Sequence, residues 1–265
     1  MPQFRLTLAA LIILLIFYAC KKQDAASANG ARLKGIIHKQ GDSIAYSFFS
    51  YDAQGRLTTI IDSNNNGHRW KTRISYNEQG KLTKDTIQYY ACASCSPMQI
   101  IDSFLYDNNG HIIKKFVRSG SGPSFTTIRN YSYDAQGRLS ADSMYDMRTN
   151  EVYFYSQFSY DGNDNVVQWE SFDKSSGIMS SSWRVTAKYN NIKNPYNTFG
   201  LVNYIILREW DILLLSKHNP TQLYYLDGTT TDYTYEYYYN GLLKKAVEKD
   251  SRGGQFSVTT REFFY

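Results

Sequence analysis

The sequence lacks the short motifs that mark the common classes of catalytic site. It contains no G-x-S-x-G nucleophile elbow, no Walker phosphate loop and no H-E-x-x-H zinc motif. Its four histidines are widely scattered, at His38, His68, His111 and His218. Carboxylates recur along the chain, but no two of them stand out as the pair that a glycosidase needs. The sequence therefore predicts a protein that is not an enzyme, with no catalytic residue, metal ligand or cofactor site. A hydrolase with a dispersed site is the less favoured alternative.

Clustered positive charge is also missing. The formal net charge is +5, but lysine and arginine are interspersed with acidic residues along the whole chain. A nucleic-acid-binding surface needs a basic stripe or patch, so no nucleic-acid partner is expected.

Cysteine is scarce, with three residues in 265. Two of them, Cys92 and Cys95, form a C-x-x-C pair that is typical of a redox site or of half a metal site. No second such pair and no nearby histidine completes a tetrahedral metal set. A redox pair usually opens a helix in a βαβ unit, which this region does not resemble. A local disulfide that braces a short loop is the favoured interpretation, with a small effect on stability.

Long apolar runs are absent apart from one at the start of the chain. It extends from Leu6 to Ala19 after the basic residue Arg5, which is the layout of a secretory signal. The run is shorter than the roughly 20 apolar residues that span a bilayer. Because it ends directly before Cys20, it resembles a bacterial lipoprotein leader, which is cut before a cysteine that carries the lipid. An uncleaved N-terminal anchor is the alternative.

This resemblance implies three segments and a location. Residues 1–19 are predicted to be the signal peptide, and residues 20–31 are predicted to be a flexible, lipidated tether, since they are small and polar. The protein is then expected in the bacterial cell envelope, with a membrane partner reached through the lipid on Cys20. An outer-membrane location is favoured, and the side on which the protein lies stays open.

A repeated Tyr-Asp/Asn-x-x-Gly segment is the main feature of the remaining chain. The aspartate or asparagine can accept hydrogen bonds from the backbone of its own turn. The glycine takes a left-handed conformation at no steric cost, which closes a hairpin with a bulge. Four copies carry these structural turn residues: Tyr51, Asp52, Gly55; Tyr76, Asn77, Gly80; Tyr106, Asp107, Gly110; Tyr133, Asp134, Gly137. Tyr160 begins a copy with Asp164 in place of glycine, and Tyr237 begins a degenerate one.

Each repeat supplies two strands, so the repeat predicts an all-β fold. We expect an antiparallel meander of about 16 strands over residues 32–265, with about twelve strands before Tyr189 and four after Gln222. So long a meander must curl, either into a curved open sheet or into a closed barrel.

The repeated motif resembles the tyrosine–aspartate repeats of Rhs-type shell proteins. The order of features is more similar to a family of Gram-negative lipoproteins of unknown function with a porin-like fold. That similarity includes the leader, the hairpins, the segment Lys193-Asn194-Pro195 and the later segment Ser216-Lys217-His218-Asn219-Pro220-Thr221. The resemblance implies a fold and an envelope location, and it implies no activity.

One stretch departs from the repeat. Residues 201–216 are strongly apolar and lie between Asn194-Pro195 and Asn219-Pro220. We interpret them as a short helical insertion that covers an open sheet or plugs a barrel, with a further pair of strands as the alternative.

Charge pairs in the predicted strands bear on whether the barrel crosses a membrane. Neighbouring residues of a strand point to opposite faces, so Lys84–Asp85, Lys114–Lys115 and Lys244–Lys245 each predict a charge on both faces. A charge that faces lipid near the midplane costs a few kcal/mol. A soluble β structure held by its lipid is therefore favoured over an outer-membrane barrel.

A tyrosine-rich segment near the C-terminus is the remaining candidate site. Tyr233, Tyr235, Tyr237 and Tyr239 alternate, so their rings are predicted to share one face of a strand. They form either cross-strand packing, which is favoured, or a ligand-binding aromatic platform. The predicted function is thus a non-enzymatic envelope scaffold or ligand-binding protein, with a glycan or an envelope protein as partner.

Overall fold

The repeated segments form tight hairpin turns in the computed structural model, which describes residues 31–90, 98–120, 127–147, 149–175, 178–199 and 215–265. In the turn at Asp134, Oδ1 accepts hydrogen bonds from the backbone N–H groups of Gln136 (3.0 Å) and Arg138 (2.9 Å). Gly137 closes the turn with φ 77°, and its N–H donates to the Asp134 carbonyl. The ladder shifts register beside each such turn, which is the expected bulge.

Sixteen antiparallel strands follow one another around a closed barrel, in which β1 pairs with β16. The predicted meander of about 16 strands is confirmed, and of the two predicted shapes the chain adopts the barrel. The strands are β1 (Gly35–Gln40), β2 (Ser43–Tyr51), β3 (Leu57–Asn64), β4 (Arg69–Tyr76), β5 (Leu82–Tyr90), β6 (Met98–Tyr106), β7 (Ile112–Ser119), β8 (Thr127–Tyr133), β9 (Leu139–Asp146), β10 (Glu151–Tyr160), β11 (Val166–Ser175), β12 (Ile178–Lys193), β13 (His218–Tyr225), β14 (Thr230–Tyr237), β15 (Leu243–Arg252) and β16 (Gln255–Phe264).

Six tyrosines tie their strands to the preceding one: the tyrosines of the first five repeat copies, and Tyr189 on β12, which makes the same contact. Each hydroxyl donates to a backbone carbonyl at the start of the preceding strand or, for Tyr51, just before it, at 2.6–2.8 Å. The pairs are Tyr51–Leu33, Tyr76–Leu57, Tyr106–Leu82, Tyr133–Ile112, Tyr160–Leu139 and Tyr189–Val166. Burial raises the pKa of Tyr106 to about 12. Its hydroxyl therefore stays protonated, and a donor, at any physiological pH.

A basic residue covers most of these rings. The residue after the turn glycine lies over the tyrosine of the next repeat, so the Arg56 guanidinium is 4.7 Å from the Tyr76 ring centre and that of Arg138 is 4.5 Å from Tyr160. Such cation–π contacts stabilise by about 0.5–1 kcal/mol at exposed sites. The repeat thus encodes a ladder of contacts between hairpins as well as the turns themselves.

The inner wall is apolar near the tight turns and charged farther in. Leu57, Ile60, Leu82 and Leu139 belong to a buried cluster that extends around most of the barrel. Beyond it lie Asp85, Asp102, Lys115, Arg129 and Asp142, each at most 5% exposed. Lys115 Nζ is 3.5 Å from Asp102 Oδ2, and Arg129 Nη2 is 2.8 Å from Asp142 Oδ2. Both ion pairs are shielded from water, so loss of one partner from either pair would leave a buried charge uncompensated.

The outer wall is predominantly polar. Lys84 is exposed while its neighbour Asp85 is fully buried, as the sequence predicted. Ion pairs cross between strands on the outside, for example Lys39–Glu262 at 2.8 Å and Arg184–Glu170 at 2.5 Å.

The prediction that Lys244 and Lys245 point to opposite faces of their strand is wrong. Lys244 and Lys245 both reach Glu236, at 3.8 and 3.3 Å, because the register between β14 and β15 shifts at Tyr237.

Several predicted features lie outside the described residues: the signal peptide 1–19, the tether with Cys20, and the Cys92–Cys95 pair. Of the predicted helical insertion 201–216, the structure describes Leu215 and Ser216, which are not helical. A 3-10 helix precedes the insertion at Pro195–Phe199. No helix in the described ranges is long and apolar enough to cross a bilayer.

The turn glycines offer a test of the repeat. Gly137→Ala is expected to destabilise the protein by about 1–2 kcal/mol, because alanine is strained at positive φ; a Cβ there would also lie 3.2 Å from His111 Nε2. Gly162→Ala is the matched control, since Gly162 lies in a turn without positive φ and its Cβ would meet nothing within 4 Å. Urea unfolding measures both. Equal losses in the two variants would contradict the conformational explanation.

Candidate functional site

One turn at the tight-turn end of the barrel has an aspartate in place of the repeat glycine, and a cleft lies beside it. Asp164 takes the glycine position of the β10–β11 turn, with φ 62°. The backbone N–H of Lys217 donates to the Asp164 carbonyl at 3.3 Å. The backbone N–H of His218 also donates to Asn165 Oδ1, 53 residues earlier in the chain, at 2.9 Å. These two bonds fix the segment that enters β13 against the β10–β11 turn.

Buried polar side chains from the two Asn-Pro segments hold this junction together. The Ser216 hydroxyl accepts from the Val166 N–H at 3.2 Å and lies 2.8 Å from the Tyr189 hydroxyl. Asn194 Nδ2 donates to the Ser216 carbonyl at 3.1 Å. Ser216 and Asn194 are at most 1% exposed. In each segment, the asparagine or serine is therefore a structural anchor.

The lysines of the same segments lie at the surface instead, and the histidine is half-buried. Lys193 and Lys217 are exposed, and with His218 they line a cleft of about 630 Å³. The remaining lining residues are Gly137, Arg138, Leu139, Tyr160, Asp164, Asn191, Asn197 and Leu215. This volume lies within the range of small-molecule sites, roughly 300–1,000 Å³.

Positive charge dominates the cleft. Three cations, Arg138, Lys193 and Lys217, face one carboxylate, that of Asp164. Asp164 contacts Arg138 Nη1 at 3.1 Å and lies 3.9 Å from Lys217 Nζ. In the described part of the chain, no carboxylate lies within ion-pair distance of Lys193.

Arg138 is held rigidly at the wall of the cleft. Its Nε donates to Asp134 Oδ2 at 2.8 Å, and its guanidinium covers the Tyr160 ring. The side-chain hydrogen bond that Arg138 donates to Asp134 raises the pKa of Arg138. Partial burial works to raise the pKa of Asp134, but the hydrogen bonds from the Arg138 backbone and side chain outweigh it and lower this pKa. Both groups are therefore charged at physiological pH.

The cleft has the groups for binding an anion. Cations and the amides of Asn191 and Asn197 provide polar contacts, and Leu139, Leu215 and Tyr160 provide an apolar floor. Within the described ranges, no group of three His, Cys, Asp or Glu side chains could hold a metal ion. From the sequence, the segments that contain Lys193 and Lys217 were noted only as features shared with a similar family. Nothing in the sequence singled out Arg138.

The tyrosines proposed as a platform lie elsewhere. Tyr233, Tyr235 and Tyr237 are half-buried on β14 and pack against the two apolar clusters of the inner wall. The Tyr235 hydroxyl donates to the Pro220 carbonyl at 2.6 Å, and its ring stacks on Tyr233 with centres 6.3 Å apart. Tyr239 does not share their face: it lies in the turn after β14 and is 92% exposed.

Comparisons with known proteins support the fold. No family model matches the chain, and no curated protein matches it. A porin-like protein from Bacteroides uniformis is similar in structure, with a TM-score of 0.58 and 16% identity over 88% of this chain and 96% of that one. A porin-like protein from Bacteroides vulgatus gives 0.42, with 10% identity over 88% and 98% of the two chains. The Tc holotoxin pore of Photorhabdus luminescens gives 0.32, with 16% identity over 82% of this chain and 9% of that one. The chain thus has a β-barrel fold similar to that of a porin-like protein.

Proposed function

We propose that this protein is an exported, lipid-anchored and non-enzymatic binding protein whose cleft holds an anionic ligand, such as an acidic glycan of the cell envelope. The observation that supports this is the convergence of Arg138, Lys193 and Lys217 on one concave site with a single carboxylate. A charged ligand group would complete the contacts of Lys193, and the amides and apolar floor would orient the rest of the ligand.

The outer wall supports a barrel that does not cross the membrane. A spanning barrel needs an apolar band about 25 Å tall on its outside. Here the exposed residues Arg73, Lys84, Lys244 and Lys249 interrupt the outer wall on β4, β5 and β15. Anchoring through the predicted lipid on Cys20 accounts for envelope retention without lipid-facing charges.

The binding site has a direct test. Lys193→Ala/Lys217→Ala is expected to weaken binding of sulfated or uronic-acid oligosaccharides at least about tenfold, since a hydrogen bond to a charged group contributes about 1.5–3 kcal/mol. Titration calorimetry measures the affinity, which is also expected to fall with added salt.

The matched control is Lys84→Ala/Lys244→Ala, which removes two exposed lysines that do not line the cleft. This variant is expected to bind like the native protein. Equal affinity for neutral and acidic oligosaccharides, or an equal loss in both double variants, would refute the assignment.

A further inference from the structure

An exposed apolar surface lies where the barrel closes. Phe48 on β2 and Phe264 on β16 are 52% and 41% exposed, and both are register partners of Gly35 on β1. Because Gly35 has no side chain, the Phe48 ring covers its backbone: a Cβ there would lie 3.2 Å from Phe48 Cδ1. The Tyr46 ring is parallel to that of Phe48 at 6.5 Å.

Two further residues extend this surface across four strands. Ile37 pairs with Tyr46, and Ile61 on β3 pairs with Phe48. We call Phe48, Phe264, Tyr46, Ile37 and Ile61 the seam patch. Its aromatic rings are more exposed than a core role requires, and they lie on the outside of a wall that is mostly polar.

Basic residues border the seam patch. Lys34 is exposed, and its backbone N–H donates to the Phe264 carbonyl at 2.7 Å. Lys71 is the register partner of Ile61, and Lys39 lies on β1 beside Ile37, paired with Glu262. Aromatic rings with a cationic border match the interface of an anionic bilayer, where rings lie at headgroup level and lysines meet phosphate.

The predicted anchor brings this surface close to a bilayer. Cys20 and Ala31 are separated by ten residues, which span at most about 40 Å when fully extended. The chain then enters the barrel at Leu33 and Lys34, directly beside Phe264. The tether therefore joins the barrel on the side that carries the seam patch.

We propose that the seam patch rests on the surface of an anionic phospholipid bilayer, with Phe48 and Phe264 inserted into the interface. This inference rests on the lipid anchor of the proposed function. The anchor limits the distance from the membrane, and the seam patch fixes which face of the barrel lies against it. The cleft and the tight turns are then held in one orientation relative to the membrane.

The test uses the full-length lipidated protein on vesicles of phosphatidylcholine mixed with phosphatidylglycerol, compared with vesicles of phosphatidylcholine alone. Mass spectrometry follows acetylation of Lys34, beside the patch, and of Lys84, on β5. On the anionic vesicles, Lys34 is expected to react several-fold more slowly, while Lys84 is unaffected. Phe48→Ser/Phe264→Ser is expected to abolish the protection of Lys34 while the lipid still holds the protein on the vesicles.

Leu105→Ser is the matched control, because Leu105 is 47% exposed on β6, far from the seam; it is expected to keep the protection. Thermal unfolding of each variant shows that it is folded. Equal reactivity of Lys34 and Lys84, or protection that survives in the double phenylalanine variant, would overturn the inference. The mass of the N-terminal peptide reports the lipid on Cys20 separately, so a missing lipid would overturn the anchor, whereas a lipidated chain without Lys34 protection would overturn the seam patch alone.

Discussion

Arg129→Met is expected to destabilise the barrel by about 3–5 kcal/mol, the usual cost of removing one partner of a buried ion pair. Arg129 and Asp142 are 0% and 1% exposed, and their charged groups are 2.8 Å apart. Methionine fills much of the volume but leaves the Asp142 carboxylate buried without its principal countercharge. Urea unfolding at neutral pH measures the loss.

Two controls separate burial from charge pairing in general. Arg184→Met removes a partner of the outer Arg184–Glu170 pair, in which the arginine side chain is 46% exposed, and is expected to cost at most about 1 kcal/mol. The double variant Arg129→Met/Asp142→Leu is expected to recover most of the lost stability, because neither member of this pair is then left buried without its partner. A double variant as unstable as Arg129→Met would show that the pair has a further role in the inner wall.

Asp85→Asn is expected to reduce the loss of stability that accompanies a rise in pH above about 4. Asp85 is 0% exposed and is the register partner of Asp102, while no described residue donates a hydrogen bond to either of its oxygens. Burial, together with the charge of Asp102, raises the pKa of Asp85 well above its ordinary value, and Lys115 only partly opposes this.

The direction of the effect follows from proton binding. The unfolded carboxyl loses its proton near pH 4, whereas folded Asp85 keeps its proton to higher pH. The folded state therefore binds more protons in this interval, and its stability falls by up to about 1.4 kcal/mol per pH unit as pH rises toward the raised pKa. Below about pH 4 both states are protonated and the stability is fully present.

An asparagine at position 85 cannot ionise, so the variant is expected to gain stability over the native protein as pH rises from about 4 to about 7. Urea unfolding across this interval measures the two slopes. Asp42→Asn, in the exposed turn between β1 and β2, is expected to keep the native slope. If Asp85→Asn and the native protein had the same slope, the raised pKa of Asp85 would be wrong.

The sequence predicts the parts of this fold that are set by local chemistry. Tyr133-Asp134-x-x-Gly137 defines its turn through bonds between residues four or fewer apart, so the hairpins and the strand number can be inferred from it. Closure depends on the summed twist and register of all sixteen strands, and no single segment carries that information. The prediction for Tyr239 failed because alternation was extended past the end of β14 at Tyr237, into the degenerate repeat turn that contains Tyr239.

The cleft and the charged inner wall depend on contacts that are distant in sequence. Ser216 bonds to Val166, 50 residues away, and Asp142 pairs with Arg129 from the neighbouring strand. Alternation showed that Lys84–Asp85 puts a charge on each face. Alternation did not show that the inward-facing charged side chains would be shielded from water. That shielding depends on the distance between opposite walls of the barrel.

The pairing of β1 with β16 also constrains how the protein is made. The contact between Lys39 and Glu262 joins residues 223 apart, while all other neighbouring strands are consecutive along the chain. Each hairpin can pair as soon as it is synthesised, but the growing sheet keeps two open edges until β16 pairs with β1. Open edges are templates for mispairing, and late non-local pairing is slow. The formation of β16, Gln255–Phe264, therefore determines when the sheet stops exposing open edges to aggregation and proteolysis.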